Sequence, residues 1–152
     1  MIYATKLKEL REEKNMSQIE LAKILNIDNS LLAKYEKEYE IIPIKHLNTL
    51  CNYFNVSFDY LFEFTAEKNY KTIDNREINL LISGTRLKDM RKENKKTQSN
   101  LAKELNCSYG TIAGYERGRY PIATPFLYTI CKKYNISADY LLGKINELKY
   151  LK

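Results

Sequence analysis

The sequence predicts an all-α protein made of two small five-helix domains in tandem. Residues 5–64 recur without a gap at 85–144, eighty positions later. Within each copy, apolar residues are spaced three or four apart, which is the period of an α-helix. Stacked repeat proteins have periods of roughly 20–50 residues. A period of eighty therefore indicates two separate globular domains.

The repeat sets the expected domain boundaries. The first domain covers 1–64 and the second covers 85–144. Residues 65–84 are polar at first and apolar at 78–82, which predicts a linker with one short ordered element. Fully extended, twenty residues reach roughly 66 Å. The C-terminal tail, 145–152, is expected to fray, although it could pair with another subunit.

The first two helices are predicted from apolar spacing and a capping signal. Leu7 and Leu10 open a first helix that is rich in charge through Lys14. Ser17 is the expected N-cap of the second helix, and Glu20 completes a capping box, in which each side chain bonds the other residue's backbone N–H. In the second copy Thr97 can cap, but Asn100 replaces the glutamate.

A tight turn separates the second helix from the third. Asn26 ends the second helix because asparagine tolerates the left-handed conformation. Asp28 caps the third helix in the first copy, and Ser108 caps it in the second. Two helices joined by about three residues form a helix-turn-helix. A fourth helix that ends at Asn55 and a short fifth helix capped by Ser57 complete the copy.

Composition favours a cytoplasmic protein without enzymatic or metal chemistry. No stretch approaches the roughly 20 apolar residues of a membrane span, and no signal peptide is recognisable. Cys51 and Cys131 occupy equivalent apolar positions, which indicates core residues in a reducing compartment. His46 is the only histidine, and neither zinc-ligand spacing nor a glycine-rich phosphate loop occurs. We therefore expect no catalytic residue, no metal and no cofactor.

The two copies carry opposite net charges. Residues 5–64 hold 8 Lys/Arg and 10 Asp/Glu, a balance of −2, whereas 85–144 hold 12 Lys/Arg and 5 Asp/Glu, a balance of +7. A basic domain is typical of a protein that binds a phosphate backbone. Double-stranded DNA is therefore the expected partner, above all of the second copy.

The residues that recur form a recognisable pattern. In copy two it includes Thr97-Gln98-x-x-Leu101-Ala102, Ile112-x-x-Tyr115-Glu116-Arg117-Gly118 and Ser137-x-Asp139-Tyr140-Leu141. In copy one it includes Ser17-Gln18-x-x-Leu21-Ala22, Leu32-x-x-Tyr35-Glu36 and Ser57-x-Asp59-Tyr60-Leu61. Each copy thus resembles the Cro/phage-repressor type of helix-turn-helix domain, also called the xenobiotic-response-element type. The resemblance implies a lambda-repressor-like fold and a transcriptional regulator.

The resemblance also implies which residues meet DNA. In this family the third helix enters the major groove and the second lies across the backbone. Gln18 and Gln98 begin the second helix, where an amide can reach a phosphate or a base edge. The expected outward positions of the third helix are Asn29, Ser30, Leu31 and Lys34 in copy one, and Tyr109, Gly110, Thr111 and Gly114 in copy two. For any one of them, the alternative is a solvated helix face.

Two further features follow from the resemblance and from the differences between the copies. The pairs Arg11–Glu36 and Arg91–Glu116 resemble a buried ion pair of this family, with a structural role. Copy two adds basic residues around its DNA-facing helices, namely Lys95, Lys96, Arg117 and Arg119. Copy one has Asn15-Met16 in place of Lys95-Lys96, and its loop reads Lys37-Glu38-Tyr39-Glu40, in which the glycine is absent and two carboxylates would face the DNA backbone. Copy two is therefore the better candidate for DNA binding.

Two functions are consistent with these features. The first is a sequence-specific transcriptional regulator, a repressor, which acts as a pseudo-dimer within one chain or as a homodimer that copy one holds together. The second is a protein-interaction module, such as an antirepressor, an antitoxin or an inhibitor, that uses the acidic first domain to bind a protein partner.

Overall fold

The computed structural model describes residues 2–152 and separates the chain into two compact units, Met1–Tyr70 and Lys71–Lys152. Unit 1 contains α1 (Ile2–Glu13), α2 (Gln18–Leu25), α3 (Asn29–Glu36), α4 (Ile44–Phe54) and α5 (Phe58–Leu61). Unit 2 contains α6 (Leu80–Glu93), α7 (Gln98–Glu104), α8 (Tyr109–Glu116), α9 (Thr124–Tyr134) and α10 (Ala138–Leu141). Within the described residues each unit thus has five helices, which confirms the all-α prediction.

Each core is built from the apolar positions that the two copies share. Leu7, Leu21 and Leu32 are completely buried in unit 1. Their equally buried counterparts in unit 2 are Leu87, Leu101 and Ile112. The side chains of Cys51 and Cys131 are buried inside these cores. Burial of each large aliphatic side chain contributes about 1.5–3 kcal/mol, so these positions provide much of the stability of the bundles.

The caps of the second and third helices follow the sequence with two differences. Ser17 and Glu20 form the predicted capping box, with N–H to oxygen distances of 3.1 and 3.3 Å. Asp28 stands at the N-cap of α3, but its side chain makes no cap hydrogen bond, so that part of the prediction is wrong. In unit 2, Asn100 replaces the glutamate and still completes the box, because its amide oxygen accepts from Thr97 N at 3.2 Å.

The remaining helix ends agree with the prediction. Asn26, Asn55 and Asn135 have φ values of 55°, 56° and 57°, in the left-handed region. Ser57 and Ser137 each accept a hydrogen bond from the backbone N–H three residues later, at 2.9 and 3.2 Å. These local signals therefore fix where helices two and four end and where the fifth helices begin.

The first helix of each unit begins earlier than the sequence indicated. Helix α1 starts at Ile2 and buries Tyr3. Helix α6 starts at Leu80, so the apolar run at 78–82 leads directly into this helix and is not a separate element of a linker. Gly84 lies so close to the end of α8 that a Cβ there would be 2.6 Å from a backbone carbonyl oxygen. The early turns of α6 therefore pack tightly against helix three of their unit.

The segment 65–84 is bound to the two units and does not form a free tether. In unit 1, Ser57 N donates to the carbonyl oxygen of Lys68 at 2.8 Å. In unit 2, Asp74 N donates to the carbonyl oxygen of Lys144 at 3.0 Å. Backbone bonds of this kind do not need apolar side chains, so the polar composition of the segment did not reveal them.

The tail, 145–152, packs on unit 2, which differs from the expected frayed end. Ser137 N donates to the carbonyl oxygen of Lys149 at 2.8 Å, and Ile136 forms an isolated antiparallel bridge with Tyr150. Because Ser137 is the counterpart of Ser57, this bond repeats the one that holds the end of unit 1. The structural repeat therefore extends beyond the repeat that the sequence displays.

Candidate nucleic-acid interface

A buried ion pair joins helix one to helix three in each unit. In unit 2, Arg91 Nε donates to Glu116 Oε2 at 2.7 Å and Nη2 donates to Oε1 at 3.0 Å. In unit 1, Arg11 and Glu36 form the same bidentate pair, at 2.7 and 2.9 Å. The hydrogen bond to the glutamate raises the pKa of each arginine, so the guanidinium stays charged. The pair fixes helix three against helix one.

The same carboxylates hold the glutamines that begin helix two. Gln98 Nε2 donates to Glu116 Oε1 at 3.1 Å, and Gln18 Nε2 donates to Glu36 Oε1 at 3.0 Å. A glutamine amide has two N–H donors and a carbonyl oxygen. The bond to the glutamate therefore orients each amide while leaving it capable of a further contact with a phosphate or a base edge.

A basic depression of about 630 Å³ lies beside the start of α7 in unit 2. Its lining residues are Arg91, Lys92, Lys95, Lys96, Thr97, Gln98, Ser99 and Tyr109. Four of the residues that the sequence singled out for DNA binding are thus brought together. Lys92 and Lys95 are exposed, so both ammonium groups face solvent and can meet an anion.

The equivalent surface of unit 1 has a different character. The positions of Lys92, Lys95 and Lys96 are occupied by Glu12, Asn15 and Met16. Ile19 stands at the position of Ser99 and is exposed. A carboxylate at this place repels a phosphate, and the other side chains offer it no compensating charge. The two units therefore share a backbone here but not an electrostatic field.

Lys96 is already engaged within unit 2. Its Nζ lies 3.1 Å from Glu104 Oε1, and Lys133 Nζ lies 3.2 Å from the same oxygen. The Tyr134 hydroxyl also donates to Glu104. Burial acts to raise the pKa of Glu104, but the hydrogen bonds from Tyr134, Lys96 and Lys133 together hold it below its ordinary value. Lys96 is thus partly neutralised, and Lys95 is the stronger candidate for a phosphate contact.

The predicted reading face of α8 is only partly exposed. Tyr109 is 63% exposed and Gly110 also faces solvent, while Thr111 is half-buried. Gly114 is buried, contrary to the expectation that it points outward, because the side chain of Tyr120 lies over it. The loop after α8 therefore contributes to this face.

On α3 of unit 1, the predicted residues lie mostly where the sequence indicated. Asn29, Ser30 and Lys34 are exposed, and Leu31 is half-buried. The face offers an amide, a hydroxyl and an ammonium group, which are side chains able to bond base edges or phosphates. Leu31 contributes only part of its surface.

The loops after helix three share a backbone conformation but not a charge. Gly118 has a φ of 71°, and its counterpart Glu38 has a φ of 65°. A residue with a Cβ adopts this left-handed conformation at a cost of about 1–2 kcal/mol. Arg117 and Arg119 flank the glycine and are exposed. In unit 1 their positions are Lys37, which keeps a positive charge, and Tyr39, which is 76% exposed.

Two residues of this surface were missed by sequence reasoning. Lys92 lies four residues after Lys88 on α6, and this helical spacing of basic residues could have revealed it. Tyr120 gave no such signal, because its position depends on how the loop folds back over α8. Lys92 and Tyr120 therefore add to the exposed residues of unit 2 that the sequence indicated.

His46 takes part in packing within unit 1. Its Nδ1 lies 3.2 Å from the Tyr35 hydroxyl, and the residue is half-buried. Among residues 2–152, no group of three His, Cys, Asp or Glu side chains is arranged to hold a metal ion. In the same range, none of the helices combines the length and the apolar character needed to cross a bilayer.

Both halves of the chain match a known protein family. Residues 7–61 and residues 87–141 each match the model of the family described as Helix-turn-helix. A segment of 84 residues is 37% identical to the HTH-type transcriptional regulator ImmR of Bacillus subtilis (strain 168). That match covers 54% of this chain and 66%, just under two thirds, of the relative. No solved structure gives a significant match.

Proposed function

This chain belongs to the helix-turn-helix family, as its resemblance to the Cro/phage-repressor type indicated, and we propose that it is a sequence-specific DNA-binding transcriptional repressor. The observation that carries the proposal is the basic character of unit 2, where Lys92, Lys95, Arg117 and Arg119 are all exposed. Contacts with the phosphate backbone supply most of the affinity of such proteins that is independent of base sequence.

In the proposed complex, α8 of unit 2 enters the major groove and α7 lies across the backbone. Lys92 and Lys95 contact phosphates on one side of the groove, while Arg117 and Arg119 contact those on the other side. Tyr109 and the Thr111 methyl group face base edges. Repression requires only that the bound protein occupies the operator, so this surface is sufficient for it.

Unit 1 contributes less phosphate affinity under this proposal. Its α3 still presents Asn29, Ser30 and Lys34, which support a second reading head in the same chain. Two reading heads, from one chain or from a homodimer, would recognise half-sites about 34–36 Å apart. Glu12 and Glu38 oppose phosphate contacts at this unit, so we expect its half-site to matter less for affinity.

Selection of bound duplexes from a random pool by the full chain tests the proposal. We expect one sequence to be enriched and its affinity to fall steeply with salt. Replacing Arg117 and Arg119 by Ala should lower the slope of log K against log salt by about 2, since each phosphate contact contributes about 0.9.

A promoter carrying the selected site should be repressed in a reporter strain. Enrichment of no sequence by the full chain would refute DNA recognition.

A second function for unit 1 is favoured by its exposed apolar side chains. Tyr39, Ile41 and Ile19 stand where unit 2 has Arg119, Pro121 and Ser99. Large exposed apolar groups are typical of protein-binding surfaces, and an antirepressor, antitoxin or inhibitor would use them. Under this alternative the intact chain binds all duplexes weakly and without salt dependence, whereas steep salt dependence that Arg117 and Arg119 control excludes it as the main function.

A further inference from the structure

The centre of the outward face of α8 is made of glycine. Ile112 is completely buried in the core of unit 2. Residues two positions away along a helix lie about 200° around its axis, so Gly110 and Gly114 are on the side opposite Ile112. Neither has a side chain. The helix that we propose to enter the groove therefore has no reading group of its own at the middle of this face.

The side chain of Tyr120 occupies that place. Its hydroxyl lies 3.5 Å from the carbonyl oxygen of Gly110. Its ring packs edge-on against Tyr115, with centroids 5.3 Å apart and an interplanar angle of 81°. A Cβ on Gly114 would overlap the Tyr120 hydroxyl. The missing side chain at Gly114 is thus what allows the tyrosine to lie on the helix.

Tyr120 is held in place but not hidden. It remains 42% exposed, although it contacts Gly110, Gly114 and Tyr115 of α8. In unit 1 the equivalent face carries Ser30 and Lys34, and the position of Tyr120 is Glu40. The arrangement therefore belongs to unit 2 alone, which is the unit with the basic surface.

We infer that Tyr120, a loop residue, determines base specificity by placing its ring against a thymine methyl group in the major groove. The inference rests on the proposed function, since it assigns a role within the same complex. Apolar contact with the C5-methyl group is how a side chain distinguishes thymine in that groove. Because the ring already packs against Tyr115 and Gly114 of α8, little side-chain freedom is lost when the complex forms.

The test uses the full chain and the duplex that it selects, with each thymine of the site replaced in turn by uracil, which lacks only the methyl group. One replacement should weaken binding by the wild-type chain about fourfold, the effect of one buried carbon. Tyr120→Ala should be insensitive to that replacement, and Tyr120→Phe, which keeps the ring, should remain sensitive. Tyr53→Ala, which removes a similarly exposed tyrosine from unit 1, is the matched control and should behave like the wild type.

Gly114→Ala tests the geometry without removing the tyrosine. The new methyl group displaces Tyr120, so this variant should also lose the sensitivity to uracil. In a chain that already carries Tyr120→Ala, it should change nothing further. The melting temperature of each variant, followed by circular dichroism, shows whether the bundle is intact. Alanine has a higher helix propensity than glycine, so Gly114→Ala should stay folded.

The outcomes separate this inference from the proposed function. If the wild-type chain selects a site but Tyr120→Ala responds to every uracil as the wild type does, the inference is wrong and DNA recognition stands. If Tyr120→Phe is insensitive, the ring is not the reading group and the inference is also wrong. If the wild-type chain selects no sequence, the proposed function fails and the inference fails with it.

Discussion

Glu104 of unit 2 is surrounded by Lys96, Lys133 and Tyr134. In unit 1 the four equivalent positions are Ile24, Met16, Tyr53 and Phe54. One unit has a polar cluster of charges and hydroxyls at this place, and the other has apolar side chains. Yet the helices on which these residues lie have nearly the same bounds in both units. The surface of this domain can thus change its chemistry completely while its bundle stays the same.

The unchanged part consists of internal contacts. The bidentate arginine–glutamate pair, the glutamine bonded to it and the left-handed asparagines occur in both units with nearly equal geometry. These contacts define where helices two and three lie relative to helix one. The two units therefore differ mainly in side chains outside these contacts, and those side chains are the ones to which we assign the difference in DNA binding.

The largest expected effect comes from breaking the contacts that the two units share, which we call the frame: the arginine–glutamate pair, the glutamine bonded to it and the left-handed asparagines. Glu36→Ala and Glu116→Ala each leave a buried arginine without its partner, which typically costs about 3–5 kcal/mol of the free energy of unfolding. The glutamate side chains are 3% and 4% exposed, so the two losses should be similar. Urea denaturation of the full chain, followed by circular dichroism, measures both. A large loss in one unit and none in the other would show that the frame is not shared.

The next effect concerns the surface and should be confined to unit 2. Lys92→Glu, Lys95→Asn and Lys96→Met together give unit 2 the residues of unit 1. Because Lys96 is already paired with Glu104, we count only Lys92 and Lys95 as phosphate contacts. Their loss should lower the slope of log K for DNA binding against log salt by about 2. Lys132→Asn, an exposed position on α9 outside the depression, should leave the slope unchanged. An unaltered slope in the triple variant would mean that the depression does not face phosphates.

A smaller effect is expected at the loop after helix three. Glu38→Gly removes the side chain from a left-handed residue and should stabilise unit 1 by about 1 kcal/mol. Gly118→Ala should destabilise unit 2, because its Cβ would lie 3.0 Å from the carbonyl oxygen of Leu80. Thermal unfolding of the two variants measures both changes in stability, and the melting temperature should rise for Glu38→Gly and fall for Gly118→Ala. If Glu38→Gly fails to stabilise, contacts of the glutamate side chain offset the strain.

The smallest effect is a pH dependence that unit 2 lacks, since Phe126 stands at the position of His46. Burial, and then the charge of Lys45, lower the pKa of His46. As the pH falls below 6.5, the ordinary histidine value, the unfolded chain therefore binds a proton at His46 before the folded chain does. The free energy of unfolding of unit 1 then decreases with falling pH until the pH is below the folded-state pKa. In His46→Phe the midpoint of thermal unfolding should depend less on pH between 7 and 5, about the range in which histidine titrates. Equal pH dependence in the variant and the wild type would contradict this.

The sequence predicted the frame better than it predicted the interface. Ser17 and Asn26 act through local hydrogen bonds and backbone conformation, which depend on residues a few positions apart, so their roles could be read directly. The ordering of 65–84 depends on backbone groups such as those of Ser57 and Lys68, whose side chains give no signal. The family resemblance placed Gly114 outward on helix three, and a pattern read along that helix could not include a loop residue that returns to cover it.

The bond between Ser57 and Lys68 also decides how the chain can be divided for experiments on its halves. A fragment that stops at residue 64, where the sequence repeat ends, would lose the carbonyl group that Ser57 N requires, together with the hydrogen bond between Tyr70 and Asp59. A fragment that starts at residue 85 would lack the first turn of α6 and the Asp74 N–H that bonds Lys144. The natural place to cut is between Tyr70 and Lys71, and half-chains made there should retain their packing.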